Sequence, residues 1–175
     1  KHSLDVECVA FYENKLFSGS LDRRIRVWDT DSNELLETLE GHKGTVKVLT
    51  LFRNKLISGA YDGTIRFWNA DTYEHIATLE GNPKFVRAFA LDDSKLYCGG
   101  AWDPLITETK RAWDVVTHEL ISTWGCIKPV SCFALHDNKL YSANGEPGDL
   151  GTLVYRLDTE EAEGSHLLNR TDDDN

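Results

Sequence analysis

The sequence is poor in features that would indicate a membrane or secreted protein. Its 175 residues include no methionine, four prolines and four cysteines. No apolar run reaches the roughly 18 residues that a transmembrane helix needs, and no charged-then-apolar leader opens the sequence. Because no methionine opens it either, we expect a processed chain or an excerpt of a longer protein. These absences favour an intracellular protein, cytoplasmic or nuclear, that does not engage a membrane.

The cysteines form neither a redox nor a zinc pattern. Cys8, Cys98, Cys126 and Cys132 include no CxxC pair, and none has a histidine at zinc-ligand spacing. Cys8 and Cys132 occupy matching places in apolar stretches, where a free thiol acts as a small hydrophobe. We therefore expect a reducing environment, no metal site and no cofactor.

Basic residues are outnumbered, and this limits the possible partners. There are 19 Lys and Arg against 29 Asp and Glu, a net charge of −10. Such a chain lacks the phosphate-neutralising surface of direct nucleic-acid binding. The acids are dense near the end of the sequence, so we expect residues 159–175 to be an acidic tail, either flexible or a ragged last strand.

An internal repeat runs through the rest of the sequence. Residues 15–22 (KLFSGSLD) recur as 55–62 (KLISGAYD), as 95–100 (KLYCGG) and as 139–143 (KLYSA), at a period of about 40. Each unit holds four short apolar or alternating stretches between turn residues. Four strands in about 40 residues is the spacing of a propeller blade, which predicts an all-β protein.

The repeat resembles the WD-repeat family. Residues 41–42 (GH), 58–59 (SG) and 62–68 (DGTIRFW) match its pattern, and Trp28-Asp29 supplies the dipeptide itself. The resemblance covers residues 1–158 and implies a WD-repeat β-propeller with four four-stranded blades, at about 1–40, 41–80, 81–124 and 125–158. Four such blades would leave a ring open. We therefore expect part of a longer propeller, half of a ring formed as a dimer, or a ring completed by a partner.

The resemblance also implies a function. WD-repeat propellers are protein-interaction scaffolds, so we expect binding of partner proteins or peptides through the top face, where the His- and Asp-bearing loops open. The alternative is a set of structural blades that complete a multi-subunit complex, such as a ubiquitin-ligase substrate receptor. An enzyme is the least expected class, and we predict no catalytic residue.

A Ser-His-Asp pattern is present but is duplicated. His42, Ser58 and Asp62 repeat the spacing of His2, Ser18 and Asp22. A catalytic triad is not normally repeated in adjacent units, and in the family these positions form a structural hydrogen-bond network with a Trp. The predicted network comprises His2, Ser18, Asp22, Trp28, His42, Ser58, Asp62, Trp68, Asp103 and Trp113. Asn82 and Cys98 replace His and Ser in the third unit, so we expect the network to weaken along the chain.

Two positions per blade tend to be exposed on the family's top face. The partner-binding residues predicted on this basis are Glu7, Lys47, Arg87, Leu21, Tyr61 and Trp102. Leu105 joins them because an insertion lengthens the third unit around residues 104–108, and binding groups concentrate in such loops. Bases beside aromatic side chains favour an acidic or phosphorylated peptide. The alternatives are that these residues only cover blade edges and that the insertion has no function.

Overall fold

The computed structural model describes residues 1–82, 84–101, 108–126, 130–137, 139–144 and 151–156. Within that part every element is a β-strand, which confirms the expected all-β class. The strands are β1 (Val6–Tyr12), β2 (Lys15–Ser20), β3 (Ile25–Asp29), β4 (Leu35–Leu39), β5 (Val46–Phe52), β6 (Lys55–Ala60), β7 (Ile65–Asn69), β8 (His75–Leu79), β9 (Phe85–Asp92), β10 (Lys95–Ala101), β11 (Glu108–Asp114), β12 (Leu120–Cys126), β13 (Val130–His136), β14 (Lys139–Asn144) and β15 (Gly151–Arg156).

The strands form four antiparallel sheets in chain order. Sheet 1 is β1-β2-β3-β4, sheet 2 is β5-β6-β7-β8, sheet 3 is β9-β10-β11-β12, and sheet 4 is β13-β14-β15 within the described residues. The predicted acidic tail at 159–175, either flexible or a ragged last strand, lies outside the described part. Each sheet is one sequence repeat, because short hairpin connections pair neighbouring strands before distant ones.

The first hairpin of every sheet turns in the same way. Its first turn residue has a left-handed backbone, with φ of 51° at Glu13, 54° at Arg53, 44° at Asp93 and 47° at Asp137. Tight hairpins use such conformations because their twist matches the twist of the paired strands. The repeated turn gives the first and second strands of all four sheets the same register, so equivalent residues occupy equivalent places.

The sheets stack face to face in chain order, with their first strands closest: β1 packs on β5, β5 on β9 and β9 on β13. Three apolar cores lie between them. Phe17, Val27, Leu49 and Leu56 are central to the core between sheets 1 and 2. We call the side of a sheet that packs on the preceding sheet its rear face. Folding therefore buries the rear faces of sheets 2, 3 and 4 against the preceding sheet.

A glycine in the second strand of sheets 1, 2 and 3 allows this close approach. A Cβ added at Gly19 would lie 2.6 Å from Val46 Cγ1, at Gly59 2.6 Å from Val86 Cγ1, and at Gly99 2.7 Å from Phe133 Cζ. Interiors are packed too densely to absorb such overlaps without movement. The glycine thus sets the distance between neighbouring sheets.

Candidate functional site

The predicted binding positions on the first strands are bulge residues. Pairing between the first and second strands skips one residue, passing from Val6 to Cys8 and from Val46 to Val48. The same shift occurs between Val86 and Ala88. A bulge leaves one residue outside the ladder and re-aims its side chain. Glu7, Lys47 and Arg87 are those residues, and this local geometry presents them at the start of each sheet.

Glu7 and Lys47 form an ion pair with each other. Lys47 Nζ donates to Glu7 Oε2 across sheets 1 and 2, and both side chains are partly buried. A partly exposed pair of this kind contributes little to stability, but it reduces the positive charge that Lys47 offers a ligand. The prediction that Lys47 contributes to the binding site beside Arg87 stays a prediction, now with Glu7 as an ion-pair partner of Lys47.

Tyr61 and Arg87 form a contact across sheets 2 and 3. Arg87 Nε donates to the Tyr61 hydroxyl at 3.0 Å, and its guanidinium lies 5.6 Å from the ring centroid. Phe85 packs edge-on against the Tyr61 ring with centroids 5.1 Å apart, and Lys84 Nζ lies 5.9 Å from the Phe85 centroid. We call Tyr61, Lys84, Phe85 and Arg87 the Tyr–Arg cluster. Arg87 and Lys84 are exposed, so the cluster is a cationic, aromatic surface.

Sequence reasoning missed Phe85 and Lys84. The available signal was the aromatic residue directly before Val86, the first buried residue of β9. The equivalent valines of sheets 1 and 2, Val6 and Val46, do not follow an aromatic residue. Only the cross-sheet contact shows that Phe85 supports Tyr61. Leu21 is 39% exposed and lines a cleft of 420 Å³ between the loops of sheets 1 and 2. The other two predicted residues, Trp102 and Leu105, lie outside the described residues.

The residues of the duplicated Ser-His-Asp pattern are brought together in sheet 2. His42 Nε2 lies 2.8 Å from Ser58 Oγ, and His42 Nδ1 lies 3.1 Å from Asp62 Oδ2. Trp68 Nε1 donates to the same Ser58 oxygen at 2.9 Å. The Ser58 hydroxyl donates in turn to the Arg66 carbonyl at 3.3 Å. The network thus joins β6, β7, the turn between them and the loop that precedes the sheet.

Asp62 anchors that loop through several donors. Burial disfavours the charged form of the carboxyl, but hydrogen bonds from His42, Thr64 and the Lys43 backbone amide outweigh it and hold the pKa of Asp62 well below its ordinary value. Thr64 Oγ1 donates to Asp62 Oδ1 at 2.6 Å and Lys43 N to Oδ2 at 2.6 Å. The carboxylate is therefore charged at neutral pH and orders the loop before β5.

Sheet 1 has a similar network in which other donors bond to the aspartate. His2 Nε2 lies 2.8 Å from Ser18 Oγ, and Trp28 Nε1 donates to that oxygen at 2.9 Å. Asp22 accepts from Arg26 Nη1 at 2.9 Å, a bond that Asp62 does not receive from the equivalent Arg66 in the described structure. Burial opposes ionisation of Asp22, and bonds from Arg26, the Ser3 amide and His2 override it, so the pKa of Asp22 is lowered.

In sheet 3 a different set of hydrogen bonds stands in place of the network, and the expected weakening along the chain stays a prediction. Trp113 Nε1 donates to Asn82 Oδ1 at 2.8 Å, and Cys98 Sγ donates to the same oxygen at 3.4 Å. Asn82 thus accepts the indole bond that Ser accepts in sheets 1 and 2. Burial raises the pKa of Cys98 to about 12, so this thiol stays protonated. Asp103 lies outside the described residues.

In sheet 4 the equivalent serine bonds to a neighbouring sheet. Lys110 Nζ on β11 donates to Ser142 Oγ at 2.7 Å, and Lys110 is 1% exposed. Lys110 stands where Ile25 and Ile65 stand in sheets 1 and 2, so the change is a polar link between sheets 3 and 4. Cys132 also departs from expectation: it is exposed on β13, because no described residue covers that side of sheet 4.

The chemistry of the duplicated pattern is structural. Ser58 is fully buried and its oxygen is already bonded to Trp68, so no substrate carbonyl could approach it. Among the described residues no group of His, Cys, Asp and Glu is arranged for a metal ion. In that same part of the chain, no helix has the length and apolar character to cross a membrane.

Comparisons with known proteins agree with this geometry. The model of the family "WD domain, G-beta repeat" matches residues 1–29 and 33–69. Protein MAK11 of Saccharomyces cerevisiae is 40% identical over 48 residues, which are 27% of this chain and 12% of that protein. Dynein assembly factor with WD repeat domains 1 of Xenopus laevis is 47% identical over 47 residues, 26% of this chain and 11% of that protein. The chain thus matches only a small part of either relative.

The crystal structure of the computationally designed Ika4 protein is similar over nearly the whole chain. It has a TM-score of 0.77 at 28% identity, and the match covers 90% of this chain and 94% of that one. Stacked four-stranded sheets with a repeated His-Ser-Asp-Trp network define a partial β-propeller. Residues 1–29 and 33–69 carry repeats of the WD type, and the described fold is that of a partial WD-repeat β-propeller.

Proposed function

We propose that this protein is an interaction scaffold that binds a partner protein or peptide at the Tyr–Arg cluster, on the top face of the propeller. WD-repeat propellers present such faces to other proteins, and the supporting observation is the Tyr61–Arg87 contact. Its hydrogen bond and ring stacking hold an exposed guanidinium in one orientation. A pre-oriented Arg over an aromatic ring loses little side-chain entropy on binding, which is typical of a hot spot.

The cluster favours an acidic or phosphorylated segment carrying an apolar residue. Within the described residues, no group accepts a hydrogen bond from the Arg87 Nη atoms, so the fork is available for a carboxylate or phosphate. Phe85 and Tyr61 supply an apolar surface beside it. Lys47 contributes less than the sequence implied, because Glu7 pairs with it. Trp102 and Leu105 stay predictions for the neighbouring edge of the site.

The proposal is tested with a synthetic peptide library containing acidic, phosphothreonine and neutral sequences. A motif selected on the unmodified chain should bind Arg87→Gln at least about tenfold more weakly by fluorescence anisotropy. Tyr61→Phe should lose less affinity for the peptide than Arg87→Gln, since it removes only the hydroxyl that orients the guanidinium. The matched control is Arg53→Gln. Arg53 also stacks on an aromatic ring, with its guanidinium 5.1 Å from the Phe52 centroid, but it follows the last residue of β5, whereas Arg87 lies near the start of β9. Equal losses in both Arg variants would reject the site.

A structural role in a larger assembly is the second candidate. The observation that favours it is the apolar rear face of sheet 1, which no described residue covers and where Phe11 is 64% exposed. Membership of a ubiquitin ligase rests on family analogy alone. Catalysis is the least supported class, since the described Ser-His-Asp groups are structural. The thiols of Cys8 and Cys98 are unpaired, which supports a reducing compartment, the cytoplasm or the nucleus.

A further inference from the structure

Arg66 on β7 carries a half-buried guanidinium that makes no hydrogen bond to any described residue. Its Nε is buried without an acceptor, and the guanidinium lies 5.9 Å from the centroid of the Trp68 ring. A guanidinium has several N–H donors, and donors withdrawn from water nearly always have partners in folded proteins. The described part of the chain therefore leaves the bonding of the Arg66 side chain incomplete.

The equivalent arginine of sheet 1 does have an acceptor. Arg26 Nη1 donates to Asp22 Oδ2 at 2.9 Å, and both side chains are largely buried. In sheet 2 the corresponding carboxylate bonds to another donor, since Thr64 Oγ1 donates to Asp62 Oδ1 at 2.6 Å. Within the described residues the Arg66 side chain thus takes no part in the hydrogen-bond network of its own sheet, and its charge is available to a ligand.

The loop before sheet 2 is shaped around this side chain. A Cβ added at Gly41 would overlap Arg66 Nη1 and lie 3.0 Å from Arg66 Cζ. The φ of Gly41 is 142°, a backbone conformation that residues with a side chain rarely adopt. Glycine at this position therefore lets the guanidinium lie against the loop, where packing limits its reorientation. A charged group that is already oriented loses less side-chain entropy when it binds a ligand.

Arg66 borders a cleft of 360 Å³ between the loop before sheet 2 and the loop that leads into sheet 3. Lys43 and Glu80 border the same space, both are exposed, and neither side chain forms an ion pair with a described residue. Three bases and two acids line the space, a formal charge of +1: Lys43, Arg66, Lys84, Asp62 and Glu80. We call it the Arg66 cleft. Its charge favours an anionic group of a ligand.

The charges also select between oxyanions. A carboxylate carries one negative charge and would balance the cleft, whereas a phosphate group carries about two at neutral pH and would leave an excess beside Glu80. A carboxylate also matches the fork of an arginine, which can donate parallel N–H bonds to both of its oxygens. The cleft is much larger than one carboxylate group, so the group would enter as part of a larger ligand.

We infer that the Arg66 cleft is a second binding site, which takes a carboxylate group of a ligand on Arg66 and Lys43. The acidic side chains of a partner polypeptide and free organic acids share this chemistry. The site goes beyond the Tyr–Arg cluster, because it uses neither Tyr61 nor Arg87. It lies on β7, β8 and the flanking loops, whereas the Tyr–Arg cluster includes the bulge of a first strand.

The test is an NMR titration of the full isotope-labelled chain with the blocked peptide acetyl-Gly-Glu-Gly-amide. We expect saturable shifts of the Arg66 Nε–H resonance and of the Lys43 and Thr64 amides. Arg66→Gln should weaken the binding at least about tenfold, measured on the two amides. Lys43→Gln changes an exposed residue that does not support the fold, and it should weaken the binding about threefold. Unchanged affinity in both variants would overturn the inference.

Arg111→Gln is the matched control. Arg111 holds the equivalent position on β11, and its Nε is also buried without an acceptor, but it does not border the Arg66 cleft. Its substitution should leave the affinity for the peptide unchanged, and an equal loss in Arg111→Gln and Arg66→Gln would count against the site. Arg87→Gln should also bind normally, so that failure of this site and failure of the Tyr–Arg cluster are seen separately.

Three further probes identify the group and its source. Acetyl-Gly-Gln-Gly-amide should not bind, because it lacks the carboxylate, and equal binding of this neutral peptide would overturn the inference. Acetyl-Gly-phosphoserine-Gly-amide should bind more weakly than the glutamate peptide, and tighter binding would overturn the choice of a carboxylate. Free succinate should compete through Arg66. A lower affinity for succinate than for the glutamate peptide would assign the site to a partner polypeptide, and a higher affinity to an organic acid.

Discussion

A serine hydroxyl between a histidine and an indole can serve catalysis or folding, and its surroundings decide which. Ser58 Oγ lies 2.8 Å from His42 Nε2, as in a hydrolase, but it also accepts from Trp68 and is fully buried. A nucleophile needs a free lone pair and room for a carbonyl. At the residue scale the same atoms therefore act as a junction between strands.

Ser58→Ala should destabilise the fold by about 1–3 kcal/mol, because it leaves the Trp68 indole and the His42 ring without their buried partner. Urea unfolding followed by Trp fluorescence measures the change. Ser131→Ala is the control, since Ser131 is exposed on β13 and should shift the midpoint little. Equal effects of the two substitutions would mean that the network contributes nothing beyond its packing.

Acid should weaken sheet 2 through Asp62. The folded-state pKa of this carboxyl is lowered below the unfolded-state value of about 4. Its contribution is therefore complete above pH of about 4 and is lost as the pH falls from there toward the folded-state pKa. In urea titrations between pH 7 and 3, Asp62→Asn should be less stable at pH 7 and should lose less stability on acidification. Asp31→Asn, at an exposed turn, should keep the steep acid dependence; the same flattening in both variants would contradict the prediction.

At the scale of the element, the repeat predicts most of what is observed. The period of about 40 and the hairpin residues place the strands of the first three sheets to within a few residues. The bulges are invisible in the sequence because a bulge changes pairing, not composition. The use of Asn82 in place of a serine as the acceptor of the Trp113 indole was also hidden. Asn82 lies in the loop before β9, whereas the serine of sheets 1 and 2 lies on the second strand.

Contacts between sheets were the hardest to foresee. Lys110 occupies a position held by isoleucine in sheets 1 and 2. The sequence pattern alone does not indicate which residue could bond to a buried lysine at this position. The structure supplies Ser142, a residue of the next sheet. Likewise, the Glu7–Lys47 pair depends on two bulges facing each other. Residues assigned within one repeat acquire their roles from the neighbouring repeat.

Gly59→Ala should loosen the junction of sheets 2 and 3 by about 1–3 kcal/mol, because the added methyl meets Val86 and Phe89 within 2.7 Å. The measurement is the free energy of unfolding in urea. Val86→Ala should compensate when combined with it, so that the double variant is more stable than the sum of the two single changes predicts. Strict additivity would show that the glycine is not the close-contact point of this junction.

At the scale of the whole molecule, stability follows from how many neighbours a sheet has. Stacked repeats gain most of their stability from interfaces between units. A sheet covered on both faces should therefore be more stable than a sheet covered on a single face. Sheet 2 is covered by sheets 1 and 3, whereas none of the described sheets covers the rear face of sheet 1. The two sheets carry nearly the same hydrogen-bond network, which makes them a matched pair for separating the two contributions.

Hydrogen exchange followed by mass spectrometry should therefore rank sheet 2 above sheet 1. Amides of β6 should exchange more slowly than those of β2, although both strands carry the same serine of the network. If the network dominated, the two strands would exchange alike. Ser58→Ala should narrow the difference without reversing it, because both interfaces of sheet 2 survive the change. Slower exchange in β2 than in β6 would mean that the rear face of sheet 1 is covered in solution, and the mass of the chain would then show whether a second copy covers it.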